Sequence, residues 1–128
     1  MSELGNKELS GRIIEAAIKV HQVLGPGFLE AVYENALCIE LQKRGLKFEC
    51  QKGVKLYSEG AEIGEHRLDL LVEGCFVVEL KAVKAIEGIF FAIGRLYMKS
   101  VGAQDGLLLN FASMPLGIRR IGREWVSS

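Results

Sequence analysis

The segment His66–Lys81, with the sequence HRLDLLVEGCFVVELK, constrains the fold more than any other part of the chain. Its two halves are apolar runs of strand length around the turn-forming residues Glu73–Cys75, a pattern that indicates a β-hairpin. A helical pattern over about Ile86–Val101 and a buried apolar strand, DGLLLNFA (Asp105–Ala112), follow it. Because a helix that joins two strands of one sheet makes them parallel, the hairpin is expected to belong to a mixed sheet.

Two helices and a strand precede this hairpin, and a further strand ends the chain. Apolar residues at helical spacing predict helices over about Leu9–Leu24 and Leu29–Arg44, separated by a GPG turn. A loose alternation over Lys47–Tyr57 predicts the first strand, the segment SEGAEIG a turn, and GIRRIGREW (Gly117–Trp125) the last strand. We therefore expect an α/β (α+β) fold, with a mixed central sheet of four to five strands flanked by helices, as a single domain over residues 1–128.

The apolar runs and the cysteines indicate the cellular location of the protein. The longest apolar runs fall well short of the roughly 20 residues that a membrane span needs, and the N-terminal segment lacks the apolar core of a signal peptide. The three cysteines, Cys38, Cys50 and Cys75, have no metal-ligand spacing and are expected to be reduced, buried thiols. We therefore expect a cytoplasmic protein without a membrane partner.

The charge balance argues against a broadly basic surface. Sixteen Lys and Arg residues offset sixteen Asp and Glu residues, so the formal net charge is zero. A protein that binds nucleic acid mainly through phosphates usually carries a clear basic excess. Any basic surface must therefore be local, and a cluster such as Arg119, Arg120 and Arg123 is more often an ordinary solvated face.

Three charged residues interrupt the apolar hairpin: Asp69 in its first strand, and Glu79 and Lys81 in its second. Residues two apart in a strand share a face, so Glu79 and Lys81 point the same way. A three-residue loop at Glu73–Cys75 would place Asp69 opposite Glu79 on that face, whereas a two-residue loop would send them to opposite faces. Facing carboxylates repel each other, and a divalent cation bound by both would replace this repulsion with attraction. The alternative is an edge hairpin whose acids are merely solvated.

Glu30 is a further candidate, in the segment GFLEAVYENAL. It precedes Tyr33 by three residues and Leu37 by seven, which places it on the border of the apolar stripe of its helix. The helix dipole favours a glutamate in the first turn. That preference does not account for a carboxylate that shares a face with Tyr33 and Leu37.

Two segments, GPGFLEAVY and LDLLVEGCFVVELK, together resemble the GxxExxY protein family, a branch of the PD-(D/E)XK nuclease superfamily. The first contains Gly27, Glu30 and Tyr33 at the family spacing. The second is similar to the superfamily core, an Asp followed across a hairpin by Glu-x-Lys. The resemblance runs from about Ile14 to Arg123 and implies a restriction-endonuclease-like core, a mixed sheet flanked by helices.

The resemblance also implies a function, the hydrolysis of phosphodiester bonds with Mg²⁺ or Mn²⁺. Asp69 and Glu79 would hold the cation together with the backbone carbonyl of Leu80. Glu30 would bind it directly or through water, and Lys81 would orient or activate the attacking water. The implied partner is nucleic acid, with DNA favoured over RNA, and a homodimer is left open.

Two residues are expected around these groups. The resemblance implies that Tyr33 packs beneath Glu30 or donates a hydrogen bond to it. His21, on the inner side of the first helix, is favoured as a satisfied histidine beside the core over a ligand or general base. Trp125 is favoured as a packing residue over a base-stacking one.

One stretch departs from the family pattern. Many members carry a Gln on the helix after Glu-x-Lys, in a stretch resembling EAQLLNYLK, and FAIGRLYMK stands there in this chain, with Phe91 for an acid and Ile93 for the Gln. Ile93 falls on an apolar stripe with Ile89 and Leu96, so this helix is predicted to be plain core. The absence of this Gln would weaken catalysis, so two alternatives to an active nuclease stay open. One is a non-catalytic module that binds nucleic acid or a protein, and the other is a structural or oligomeric module with vestigial carboxylates.

Overall fold

The computed structural model describes residues 3–122, which form three helices and five strands. The helices are α1 (Glu3–Leu24), α2 (Glu30–Lys43) and α3 (Gly88–Val101). The strands are β1 (Phe48–Ser58), β2 (Ala61–Val72), β3 (Phe76–Lys81), β4 (Asp105–Asn110) and β5 (Gly117–Ile121). The end of the predicted last strand, with Arg123 and Trp125, lies outside the described residues.

The five strands form one mixed sheet in the order β1-β2-β3-β4-β5. Neighbouring strands are antiparallel except β3 and β4, which α3 connects and which are parallel as predicted. This sheet and its helices confirm the predicted α+β architecture. No helix within residues 3–122 combines the length and the hydropathy that crossing a membrane requires.

The turn between β1 and β2 is shorter than predicted. Only Glu59 and Gly60 separate the two strands, both with positive φ (51° and 84°). That conformation suits a two-residue hairpin turn, whose twist matches the flanking strands. The predicted seven-residue turn is therefore wrong, and β2 begins at Ala61.

The helices cover both faces of the sheet. Leu70, Val78 and Leu80 pack into one core with buried residues of α1 and α2. Leu71 and Val77, which alternate with them, pack into a second core with residues of α3. The central strands β2 and β3 are thus enclosed between α2 and α3.

The buried side of α3 differs from the predicted stripe. Ile89, Ile93 and Leu96 are 56 %, 38 % and 40 % exposed, so they are not core residues. The buried residues of α3 are Gly94, Tyr97 and Met98. Because α3 is apolar on most sides, its residue spacing does not decide which side faces the sheet. The side with Gly94 faces it, because the missing side chain lets α3 approach Ile121 closely.

The close approach of α3 to β5 at Gly94 leads to a stability prediction. A Cβ added at Gly94 would lie 2.7 Å from Cδ1 of Ile121, which is 1 % exposed. Gly94→Leu is therefore expected to lower the free energy of unfolding by about 2–3 kcal/mol in urea denaturation. A Cβ at Gly88 would meet nothing within 4 Å, so the control Gly88→Leu is expected to change it by less than about 0.5 kcal/mol. Equal losses would contradict a packing role for Gly94.

Candidate metal site between β2 and β3

The site begins where the pairing of β2 with β3 ends. The ladder starts with Val72 opposite Phe76, so Glu73–Cys75 form the three-residue loop that the sequence left open. Two further pairs follow, and the ladder then stops. In this register the next two residues to face each other are Asp69 and Glu79.

Side chains bridge the two strands beyond the ladder. The Leu80 N–H donates to Oδ2 of Asp69 at 2.8 Å, and the Asp69 N–H donates to Oε2 of Glu79 at 2.9 Å. Each carboxylate thus binds the backbone of the opposite strand with one oxygen, which leaves its second oxygen for another partner. We call Asp69 and Glu79 the acid pair.

The surroundings of the acid pair favour its protonated forms. Burial raises the pKa of Glu79, which is 5 % exposed, to about 8, and the charge of Asp69 adds to the effect. Burial also raises the pKa of Asp69 to about 6, against the hydrogen bond from Leu80. Lys81 lowers both pKa values without cancelling the effect of burial. Two ionised carboxylates at this place therefore need a further positive charge.

Glu34 on α2 and Gln51 on β1 lie beside Asp69, and sequence reasoning missed both. Nε2 of Gln51 donates to the two carboxylate oxygens of Glu34 at 2.8 and 3.0 Å and lies 3.4 Å from Oδ1 of Asp69. Gln51 has a left-handed backbone (φ 51°) opposite Asp69 in β1. Glu34 could have been found one turn after Glu30, whereas nothing in the sequence indicated the conformation of Gln51.

Glu30 and Lys81 lie at the rim of the site. Oε2 of Glu30 accepts a hydrogen bond from the Ala82 N–H at 3.3 Å, which brings the start of α2 to the end of β3. Nζ of Lys81 lies 4.9 Å from the ring centroid of Phe90 on α3. Within residues 3–122, no three His, Cys, Asp or Glu side chains are placed to hold a metal ion together. Glu30 is therefore near the acid pair without forming a three-carboxylate cage with it.

Tyr33 contacts the turn before α2. Its hydroxyl donates to the Gly25 carbonyl at 2.6 Å and accepts a hydrogen bond from the Phe28 N–H at 3.1 Å. The single hydroxyl hydrogen is thus in use, and the expected hydrogen bond to Glu30 is not formed. Tyr33 fixes the turn that leads into Glu30 instead.

His21 is buried against the ring of Phe111, with centroids 6.0 Å apart. Its Nε2 has no hydrogen-bond partner among the described residues, so the predicted satisfied histidine is wrong at this atom. No hydrogen bond in the described part of the chain links His21 to the acid pair. His21 therefore packs beside the core and, within that part, makes no hydrogen bond that would position the acid pair.

Tyr97 on α3 is a polar residue near the acid pair whose place there sequence reasoning also missed. Burial raises its pKa, and the charges of Glu79 and Asp69 raise it further. Ile93, at the position of the family Gln, is 38 % exposed. The phenol of Tyr97 therefore lies within electrostatic range of the acid pair, four residues after Ile93.

The donor set fits Mg²⁺ or Mn²⁺. Both cations prefer oxygen ligands, and Mg²⁺ is commonly held by one or two carboxylates, with water completing its shell. Asp69 and Glu79 each offer one carboxylate oxygen that no backbone N–H holds. The raised pKa values of Asp69 and Glu79 mean that their ionised forms are unfavourable without a nearby positive charge, which a cation would supply.

Comparisons with known proteins give the family and the fold of the chain. Residues 7–121 match the family model of the PD-(D/E)XK nuclease superfamily. A solved structure, described as the crystal structure of SSO0001, matches with a TM-score of 0.59 at 15 % sequence identity. The match covers 74 % of this chain and 50 % of the other, so this chain spans about half the length of that protein and shares its fold. No curated protein matches the chain.

Proposed function

The chain belongs to the PD-(D/E)XK nuclease superfamily, and on this premise we propose that it is a metal-dependent nuclease that hydrolyses phosphodiester bonds. One observation carries the proposal. Glu79 is buried and Asp69 half-buried in the opening between β2 and β3, both have raised pKa values, and Lys81 follows Glu79 by two residues. A structural role would favour apolar residues there, whereas a cation site needs these carboxylates.

Asp69 and Glu79 would hold Mg²⁺ or Mn²⁺ together with the Leu80 carbonyl. When bound, the cation polarises the phosphoryl group, lowers the pKa of water and orients the substrate. The Leu80 N–H, which donates to Asp69, fixes the peptide unit next to the acid pair. Glu79 must release its proton when the cation binds, because its pKa is about 8.

Lys81 would orient the attacking water and stabilise the negative charge that grows on the phosphate. Its position at the end of β3, on the face of Glu79, is suited to this role. The Phe90 ring beneath Nζ attracts the ammonium group and restricts its position. Glu30 at the rim would bind the cation through water.

The substrate and the branch of the superfamily are part of the same proposal. Gly27, Glu30 and Tyr33 support membership of the GxxExxY branch. We propose nucleic acid as the substrate, with DNA favoured over RNA. The zero net charge means that contacts with phosphate must come from a local surface.

A nuclease assay tests the proposal directly. Purified protein is incubated with single- and double-stranded DNA and RNA in Mg²⁺, in Mn²⁺ and in a chelator. We expect cleavage that requires the metal, that falls to background in Glu79→Gln and that is retained in Glu8→Gln, a change at an exposed glutamate of α1. Cleavage that persists in Glu79→Gln would identify a contaminant. A native chain that cleaves none of the substrates would overturn the catalytic proposal.

The second candidate is a non-catalytic relative that binds nucleic acid or a protein. The observation in its favour is Ile93, an exposed apolar residue where many family members carry a Gln. Filter binding of the same substrates in a chelator distinguishes this candidate. Binding without cleavage in any metal would favour it over the nuclease.

A further inference from the structure

Two of the three cysteines are adjacent. Sγ of Cys38 on α2 lies 2.8 Å from Sγ of Cys50 on β1. Both are free thiols. Cys50 is exposed, and Cys38 and Cys75 are half-buried, so the prediction of buried thiols is wrong. Cys75 is separate, and its thiol donates to Oδ1 of Asn6 at 3.7 Å.

We propose that Cys38 and Cys50 form a reversible disulfide that ties α2 to β1 when the chain meets a small disulfide such as glutathione disulfide. An S–S bond is about 2.05 Å long. The two sulfurs must therefore approach each other by about 0.8 Å, a shift that small rotations of the two side chains supply. The proposal concerns a modification site and does not depend on nuclease activity.

The reaction is two successive thiol–disulfide exchanges. The Cys50 thiolate attacks one sulfur of glutathione disulfide, which forms a mixed disulfide and releases one glutathione. Cys38 then attacks Sγ of Cys50, forms the internal bond and releases the second glutathione. The two thiol protons end on the two glutathione molecules, which are the reduced products.

Exposure and charge set this order. Burial, then the hydrogen bond and charge of Cys50, and then the charge of Glu34 raise the pKa of Cys38 to about 12. Cys38 is thus a poor first nucleophile, and the exposed Cys50 attacks glutathione disulfide first. Once Cys50 is in a mixed disulfide, its thiol no longer contributes to the raised pKa of Cys38. The second step therefore becomes easier after the first.

The disulfide would reinforce a contact beside the acid pair. Cys38 lies one turn after Glu34, and Cys50 directly precedes Gln51. The Gln51 side chain joins Glu34 to Asp69. A bond between Cys38 and Cys50 would thus hold α2 and β1 together where this amide bridge lies. It would also restrict the unfolded chain by closing a loop between α2 and β1.

The test is oxidation of the full chain by glutathione disulfide, followed by intact mass and a non-reducing peptide map. The native chain and the matched control Cys75→Ser are expected to lose about 2 Da and to yield one peptide pair joined through Cys38 and Cys50. Cys38→Ser is expected to keep a glutathione adduct on Cys50. Melting temperature is the second readout, with a reversible rise on the order of 5–10 °C in the native chain.

Three results would overturn the proposal. The first is a stable glutathione adduct on Cys50 of the native chain without the internal bond. The second is a disulfide that involves Cys75 or a second copy of the chain. The third is a melting temperature that rises equally in Cys38→Ser, because that variant cannot form the bond.

Discussion

Millimolar Mn²⁺ is expected to raise the melting temperature of the native chain at about pH 8 by on the order of 10 °C, and Asp69→Asn is expected to lose most of this gain. A ligand that binds only the native state at 100 times its Kd contributes about 2.7 kcal/mol. The native site holds two carboxylates with raised pKa values, and Asp69→Asn removes one of them. Thermal denaturation with and without Mn²⁺ measures the difference.

The matched control is Asp105→Asn. Asp105 begins β4, and its carboxylate accepts a hydrogen bond from Asn6 rather than lying in the acid pair. This variant is expected to keep the full response to Mn²⁺. In a chelator, Asp69→Asn is expected to be as stable as the native chain or more so, because it removes a repulsion. Equal shifts in all three proteins, or no shift in any, would mean that the acid pair holds no metal.

In a chelator, the free energy of unfolding is expected to fall by on the order of 3 kcal/mol between about pH 5.5 and about pH 8.5. Burial raises the pKa of Glu79 from 4.5 to about 8 in the folded state. Between these values the folded chain keeps a proton that the unfolded chain releases. Stability therefore falls as the pH rises through this window and levels off above about pH 8.

Urea denaturation across this pH range measures the effect in native and variant proteins. Residue 79 stays neutral at every pH in Glu79→Gln, so the stability curve of this variant is expected to be nearly flat once the pH has passed the pKa of Asp69, about 6. The control Glu8→Gln removes an exposed glutamate and is expected to keep the native slope. A native curve as flat as that of Glu79→Gln would show that Glu79 ionises freely in the fold. Saturating Mn²⁺ is expected to reduce the slope, because the bound cation favours the ionised carboxylate.

Short-range pattern was enough to predict the centre of the molecule. The hairpin of β2 and β3 depends on apolar runs and a turn within 16 consecutive residues, His66–Lys81. The alternation of side chains then placed Asp69 opposite Glu79 once the loop had three residues. The intervening helix made β3 and β4 parallel. These features follow from local geometry, which is why the sequence predicted them.

Contacts between distant segments were not predictable in the same way. The bridge from Glu34 through Gln51 to Asp69 needs three elements to meet, and it needs a left-handed backbone at Gln51. The contact between Cys38 and Cys50 depends on how closely α2 lies against β1. Loop closure and side-chain packing set such distances, and neither leaves a periodic pattern in the sequence.

The sequence by itself determined the mixed sheet and the hairpin of β2 and β3, because strand periodicity and the helix before β4 fix both locally. The structure decided that Asp69 and Glu79 face each other, because it gave the loop three residues rather than two. The tertiary structure alone decided which side of α3 is buried, because Gly94 permits an approach to Ile121 that the apolar spacing of α3 does not specify. It also decided that Tyr33 fixes the turn before α2, since the hydroxyl reaches Gly25 rather than Glu30. In both cases the outcome depends on how closely two elements pack, a distance that only the folded chain defines.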